Sequence, residues 1–433
     1  MSIFKEPVIL NQTFKNVLDI LENTGNIVFI SGRAGTGKST LLRLFKETTK
    51  KQVVVVAPTG VAALNVKGQT IHSFFRFPPG IIPISSIKKL KGNNIYKKME
   101  VLIIDEISMV RADMLDNIDL FLKVNRDSPL PFGGVQMVFI GDLFQIPPVV
   151  SQEYEKTFIS SNYESAYFFS SNVFNFNKIQ IDFFELKEIY RQKDQRFINL
   201  LESIRTNEMD WEQLEELNSR YFPDQLPDEN YITLCSLNST ANGINLDKLE
   251  EINSPIFIYE AIIDGEFPES IYPTDPILAL KHGAQVIFIR NDPEKRYVNG
   301  TIGTVSYLDK ANIRVEIFDS GEKTEIDVYP EIWENTRYVI DEKNTNIEQL
   351  VIGTFNHFPL KLAWAITIHK SQGKTFDRVV IDLGSGAFTH GMTYVALSRC
   401  RTFEGLFLRK PVRPRDIMVD QTVVDYIDGI KRN

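Results

Sequence analysis

Cysteine is almost missing from this chain: Cys235 and Cys400 are the only two in 433 residues. Two distant thiols build neither a disulfide framework nor a zinc cluster, and they suit a reducing compartment. No apolar run approaches the ~20 residues that a membrane-spanning helix needs, so no membrane attachment is expected. The opening MSIFKEPVILNQ lacks the basic start and apolar core of a secretion signal, and its acidic residue is unusual in a transit peptide. Low-complexity tracts, long charge blocks and solenoid-period repeats are missing too. So is the Asn-Lys-x-Asp guanine selector of GTP-binding proteins. Positive charge is not in excess: the net charge of −8 argues against coating nucleic acid by bulk attraction. It leaves open a protein that grips one strand in a local groove. The basic clusters at 88–98 and 409–415 read as solvated surface loops.

What is present begins with Gly32-Arg33-Ala34-Gly35-Thr36-Gly37-Lys38-Ser39, the G-x-x-x-x-G-K-S form of a phosphate-binding loop. Residues 26–30 (NIVFI) read as a buried strand before it, and residues 40–50 (TLLRLFKETTK) as the helix after it. Gly35, Thr36 and Gly37 bend the backbone so that its N–H groups converge on phosphate oxygens at a helix N-terminus. Lys38 adds a charge for the β- and γ-phosphates, Ser39 a hydroxyl for Mg2+, and Thr40 continues the turn. The chain is expected to bind a nucleoside triphosphate, with ATP and Mg2+ as its cofactors.

Four apolar runs punctuate the first half, at 26–30, 53–57, 101–105 and 136–141. They are continuous rather than alternating, as parallel strands covered on both faces are. A second set follows at 179–186, 231–237, 360–367, 378–383 and 406–408. Between 253 and 351 short β-rich pieces alternate with turn residues, including Asp319-Ser320-Gly321, which reads as a small antiparallel barrel inserted in the second half. The fold class is α/β: two parallel-sheet lobes, 1–178 and 179–252 with 352–433, the barrel at 253–351, and a wedge-like insertion near 64–78.

The strand Leu102-Ile103-Ile104 ends in Asp105-Glu106. Asp105 is placed to hold Mg2+, and Glu106 to polarise the attacking water. The next strand ends Gly141-Asp142-Leu143-Phe144-Gln145, whose glutamine can sense the γ-phosphate. Gln12 is a candidate for reading adenine through its amide. Arg191 and Arg399, both in the second half, are candidates for the mobile charge that stabilises phosphoryl transfer.

Together these residues resemble the motif series of superfamily-one helicases. The resemblance is to the Pif family, in the group that also holds RecD-like enzymes. GRAGTGKS, DEIS at 105–108, GDLFQIPPV at 141–149, YRQ at 190–192, TIHKSQGKTF at 367–376 and YVALSRCR at 394–401 fall in family order. Residues 116–126 (DNIDLFLKVNR) resemble the Pif-branch signature, with Leu122 and Asn125 departing from it. Coverage runs from Gln12 to Arg401, without the long extensions of some relatives. The resemblance implies two RecA-like lobes of a P-loop NTPase with ATP between them, and Arg191 and Arg399 as arginine fingers. It also implies Gly373 at the nucleotide, the barrel as an accessory domain, and 5′-to-3′ translocation on single-stranded DNA. A monomeric or transiently associating helicase, cytoplasmic or nucleoid-associated, is the expectation. Forks, tailed duplexes and G-quadruplex DNA are the structures on which such relatives act, and nothing in these motifs ranks them.

The tripeptide Thr-Ile-His occurs twice, at 70–72 and 367–369, once in each α/β half. Thr59, Thr70 and Thr367 offer hydroxyls for phosphates that ignore base sequence, and Lys370 adds a charge. His72, Phe74 and His369 are candidates for stacking on bases. Val298 and Asn299, between Tyr297 and Gly300, read as a hairpin turn. A small-molecule kinase would share the phosphate loop but leaves the second half, its arginines and the insertion without a role. An ATPase that remodels complexes without unwinding shares the whole engine. An RNA helicase of the Asp-Glu-Ala-Asp type would need a different sequence at 105–108.

Overall fold

The computed structural model describes residues 11–92, 95–150, 152–177, 179–190, 192, 194–223, 231–319, 322–341 and 346–432. Arg191, and Ser320-Gly321 of the expected turn, lie outside the described residues.

The first lobe is built on six parallel strands: β1 (Ile27–Gly32), β2 (Val53–Ala57), β3 (Gln69–Thr70), β4 (Val101–Ile104), β5 (Gln136–Gly141) and β6 (Ile181–Leu186). Their order is β3-β2-β4-β5-β1-β6. Alternate residues feed opposite layers, as the two-residue period of a strand requires. Val28, Ile30, Val55, Val101, Ile103, Val138 and Ile140 pack beneath helices Gln12–Asn23 and Lys38–Thr48. Phe29, Val54, Val56, Leu102, Ile104, Met137 and Phe139 face the other way, against helix Ala112–Arg126. Coverage on both faces is why the runs are continuously apolar.

Two strands depart from expectation. Residues 181–186 were assigned to the second lobe, yet β6 pairs with β1 from Ile27↔Ile181 to Gly32↔Leu186. An apolar run does not encode which sheet it joins. Residues 64–78, expected as a wedge, supply β3 and bury Ile71, Phe74 and Phe75 in the first lobe's core.

The second lobe carries four parallel strands in the order Ala365–Thr367, Ile232–Cys235, Val379–Asp382, Leu406–Leu408. Helices Gln195–Thr206 and Met392–Leu397 share its core through Phe197, Ile204, Val395 and Leu397. The C-terminal helix Gln421–Arg432 crosses back, burying Val423 and Ile427 in the first lobe and stacking Tyr426 on Phe169 at 4.0 Å.

The insertion is antiparallel, as expected, but it reaches further than 351. Strand Leu360–Leu362 closes one edge of its five-stranded sheet, and the chain enters the second lobe's sheet only at Ala365. Beside that sheet stand a two-stranded ribbon (Ile256–Glu260 with Ile277–Lys281) and a three-stranded sheet (Ile262–Gly265, Glu331–Ile340, Ile347–His357). The described residues form these three separate sheets rather than one closed barrel. The long hairpin Glu331–Ile340/Ile347–His357 crosses to the first lobe. There the Tyr338 hydroxyl lies 3.0 Å from the Val55 N–H, where β3 has run out. The Ile347 N–H donates to Gln52 Oε1 at 2.6 Å, and Gln349 Nε2 to the Lys67 carbonyl at 2.7 Å.

Candidate active site

β4, β5 and β1 lie side by side, so their carboxyl ends open on one crevice, the usual ligand position in an α/β sheet. Gly35 and Gly37 adopt φ of +83° and +87°, conformations that favour glycine. Gly37 caps helix Lys38–Thr48, and a Cβ there would also come 3.1 Å from the Phe14 ring. Lys38 Nζ donates to the loop's own Gly32 and Arg33 carbonyls at 2.5 and 3.0 Å. Thr36 Oγ1 shares the Arg33 carbonyl at 2.9 Å. Ser39 is exposed and Thr40 half-buried on the first turn.

Asp105 and Glu106 follow β4. Burial pushes the Asp105 carboxyl up to about 7, with Glu106 adding to the rise and Lys38 opposing it. Burial raises Glu106 too; Lys38 and Arg399 oppose this, while Asp142 adds to it. Glu106 has φ +52° and ψ +45°, a left-handed backbone costing a non-glycine residue roughly 1–3 kcal/mol. Its carboxylate lies within electrostatic reach of Lys38, Arg399 and Asp142. A hydroxyl on Ser39 and the Asp105 carboxylate suit a hard, oxygen-loving cation such as Mg2+ that keeps water and phosphate in its other positions.

Arg399 is 1% exposed. Its Nε donates to the Val395 carbonyl at 2.9 Å and its Nη2 to Ser398 Oγ at 2.9 Å. Burial lowers its pKa to about 10, with Tyr394, Glu106 and Asp142 holding it up, so it remains a cation at pH 7. Its loop is anchored from the Tyr190–Gln192 stretch: Gln192 Nε2 donates to the Ser398 and Cys400 carbonyls at 3.1 and 3.0 Å. The Tyr190 N–H donates to the Gly35 carbonyl at 2.9 Å, which ties the same stretch to the phosphate loop.

Gln145 is buried, donates to Asp142 Oδ2 at 3.3 Å and accepts from Gln372 Nε2 at 3.4 Å. The candidate sensor thus bridges the lobes. Gly373 is the exposed next residue, at φ +77°. Gln12 lies on the exposed first turn of its helix, with its amide donating to Asn16 Oδ1 at 2.8 Å. Phe14 and Tyr190 are the residues that flank Gly37.

Among the strand-binding candidates, Thr59 and Thr70 cap helices Gly60–Asn65 and Ile71–Phe75 through Ala62 and Ser73 N–H groups. His72 and His369 are half-buried, and burial lowers both pKa values, so both are neutral at pH 7. Lys370 is exposed. Thr367 is buried, accepting from the Lys370 N–H at 3.4 Å. Phe74 corrects an expectation: it is 5% exposed and packed edge-on against Phe75, Tyr96 and Tyr338, with no face for a base. Val298 and Asn299 stand at a turn that docks on the second lobe, where Asn299 Oδ1 accepts from Lys374 at 2.6 Å. The 116–126 signature is structural in its polar residues: Asp119 accepts from the Phe132 N–H at 2.6 Å and Asn125 from the Leu90 N–H at 2.8 Å.

Sequence reasoning assigned no role to Asp142, Tyr394, Glu202 or Arg205, which meet behind the phosphate loop. Asp142 and Tyr394 lie inside quoted motifs. Glu202 and Arg205 sit on an amphipathic helix with no signal to separate them from a solvated face.

A phosphate loop, paired carboxylates at a strand tip, a buried glutamine and a buried arginine from a second parallel-sheet lobe make up the two-lobed P-loop arrangement of a helicase-type motor. Residues 9–215 match the family described as PIF1-like helicase. The chain is 34% identical over 427 residues to the ATP-dependent DNA helicase Pif1 of Bdellovibrio bacteriovorus, covering 95% of this chain and 90% of that one. It belongs to the Pif1 family. It also superposes on Bacteroides sp. Pif1 in complex with ADP-AlF4, with a TM-score of 0.89 at 38% identity and 98% of each chain covered. On Bacteroides Pif1 bound to ssDNA the TM-score is 0.70 at the same identity and coverage. The chain as a whole therefore superposes better on the former structure than on the ssDNA-bound one.

Proposed function

We propose that this protein is an ATP-dependent DNA helicase that translocates 5′ to 3′ on single-stranded DNA and opens the duplex ahead of it. The observation that carries this is the bridge from Gln145 at the nucleotide site to Gln372, inside the segment 367–376 that also bears His369 and Lys370. A change at the γ-phosphate thereby reaches the strand-binding side of the second lobe.

In the cleavage step a water oxygen attacks the γ-phosphorus and the β,γ-bridging oxygen leaves with ADP. Glu106 takes the water's proton, while Lys38 leaves the loop carbonyls for the phosphates. Arg399 supplies positive charge from the second lobe, so one chain carries the whole nucleotide site. Ser39 and Asp105 would hold Mg2+, which neutralises phosphate charge when bound. Gln12, Phe14 and Tyr190 surround the place for the base, beyond Gly37.

On the strand side, Thr59 and Thr70 present helix N-termini from the first lobe, and His369 and Lys370 complete the grip from the second. Gly60 is covered by Ile271 of the insertion, at a separation where a Cβ would meet Ile271 Cγ2 at 2.7 Å. Strand entry beside Thr59 therefore goes with movement of the insertion, in keeping with the lower TM-score to the ssDNA-bound relative. Unwinding of a 5′-tailed duplex, with a 3′-tailed duplex as control, tests the polarity. Forks and G-quadruplexes are the next substrates to compare.

A further inference from the structure

Helix Gln195–Thr206 is rooted in the second lobe, where Phe197, Leu201 and Ile204 join that lobe's core. Its last turns nevertheless reach two loops of the first lobe. Glu202 Oε1 lies 2.7 Å from Arg33 Nη2 of the phosphate loop. Arg205 is 3% exposed and places Nη2 3.2 Å from Asp142 Oδ1, with its guanidinium 4.1 Å over the Phe144 ring. Its Nη1 reaches back to Glu202 at 3.3 Å.

Asp142 is fully buried, and a carboxyl group so placed needs partners to offset its lost hydration. Arg205 is its ion-pair partner. The other Asp142 oxygen accepts from Gln145 and from the Tyr394 hydroxyl, so Arg205 shares in fixing the carboxylate that orients Gln145. At the far end, the backbone carbonyl of Arg33 is one of the two that hold Lys38. One helix therefore grips both nucleotide-facing loops, through the Arg33 and Asp142 ion pairs and through the packing of Arg205 on Phe144 and of Leu201 beside Ile146. Glu202 Oε2 and Arg205 Nε are buried and have no hydrogen-bond partner among the described residues.

We propose that Glu202 and Arg205 are positioning residues that couple the lobes, linking the phosphate loop through Arg33 to the sensor Gln145 through Asp142. Glu202 acts through Arg33 and Arg205 through Asp142. The inference rests on the ATP-driven function above, and the wild-type protein serves as the control for that function.

The test measures ATP hydrolysis by the full chain, and its affinity for a labelled single strand with and without a non-hydrolysable ATP analogue and Mg2+. The variants are Glu202→Gln, Arg205→Met and Arg205→Lys. Glu202→Gln and Arg205→Met should each lower DNA-stimulated kcat about tenfold, with KM for ATP and nucleotide-free DNA affinity held within about twofold, the size of an ordinary coupling energy. The analogue-induced change in DNA affinity should shrink alongside, and Arg205→Lys should recover part of both. Adding Asp142→Asn to Arg205→Met should cost nothing further. A stimulated wild type whose variants keep kcat and the analogue effect overturns the coupling alone. So does a parallel loss of kcat, DNA affinity and thermal stability, the mark of a merely structural role. A wild type indifferent to DNA overturns the function and the coupling together. Should Arg205→Met fail to fold, Glu202→Gln, whose side chain is 29% exposed, decides the question by the same readouts.

Discussion

The Lys38 ammonium sits 2.5 Å from the Gly32 carbonyl, six residues back in its own loop. The cation that must meet the β- and γ-phosphates is held by the turn that will cradle them. Nucleotide entry therefore exchanges two carbonyl contacts for phosphate oxygens, a charge-assisted gain. Lys38→Ala should lower DNA-stimulated kcat by roughly 10²–10³-fold, the usual loss when a transition-state charge contact is removed. Its melting temperature should stay near wild type, because Lys38 lies outside the packed core. Steady-state hydrolysis and a thermal melt check both halves.

Arg399→Ala should still bind nucleotide while hydrolysis falls by a similar factor. Arg399→Lys should restore little, because a lysine cannot reproduce a guanidinium that bonds Val395 and Ser398 while charging the crevice. A fluorescent ATP analogue reports binding separately from turnover. Unchanged turnover in Arg399→Ala would make this residue structural.

Asp105 makes stability depend on pH in a stated direction. Its folded pKa of about 7 lies above the ordinary carboxylate range. Between the two values the unfolded chain is ionised while the folded one keeps its proton, so stability falls as pH rises from ~4 towards ~7 and levels off above. Asp105→Asn should flatten that slope. In the absence of nucleotide and Mg2+ it should gain melting temperature over wild type at pH 8 and little at pH 5. Melting curves at the two pH values suffice, and a variant gain confined to pH 5 would reverse the sign.

Tyr338 substitutes for the missing end of β3 by bonding the Val55 N–H, which holds the insertion's hairpin on the first lobe. Tyr338→Phe loses that bond, worth about 1 kcal/mol net. If the docked hairpin keeps Ile271 over Gly60, the variant should bind single-stranded DNA severalfold more tightly. Anisotropy titration of a labelled strand measures it; weaker binding would place the hairpin among the DNA contacts instead.

Residues 32–39, 105–106 and 145 stand out in the sequence because glycines before a lysine, acids at a strand tip and a glutamine after the next strand are local patterns, and the structure gathers them at adjacent strand ends. β6 was misassigned because a parallel strand's neighbour is fixed by the crossover, not by its own apolar residues. The run at 360–367 hid a change of sheet at Ala363-Trp364 for the same reason. Phe74 was misplaced because the sequence shows an aromatic, while its burial depends on Tyr96 and Tyr338 arriving from elsewhere. Arg205 left no trace, since its partner Asp142 lies 63 residues away on another lobe.

The central claim is that ATP turnover at the Lys38–Glu106 site is harnessed to a DNA strand held across both lobes. The most direct measurement is ATP hydrolysis with and without single-stranded DNA, with the Lys38→Ala protein as the blank. Strong stimulation by DNA that vanishes in the blank is expected. A rate indifferent to DNA, with the blank still silent, would leave the nucleotide site standing and contradict the helicase.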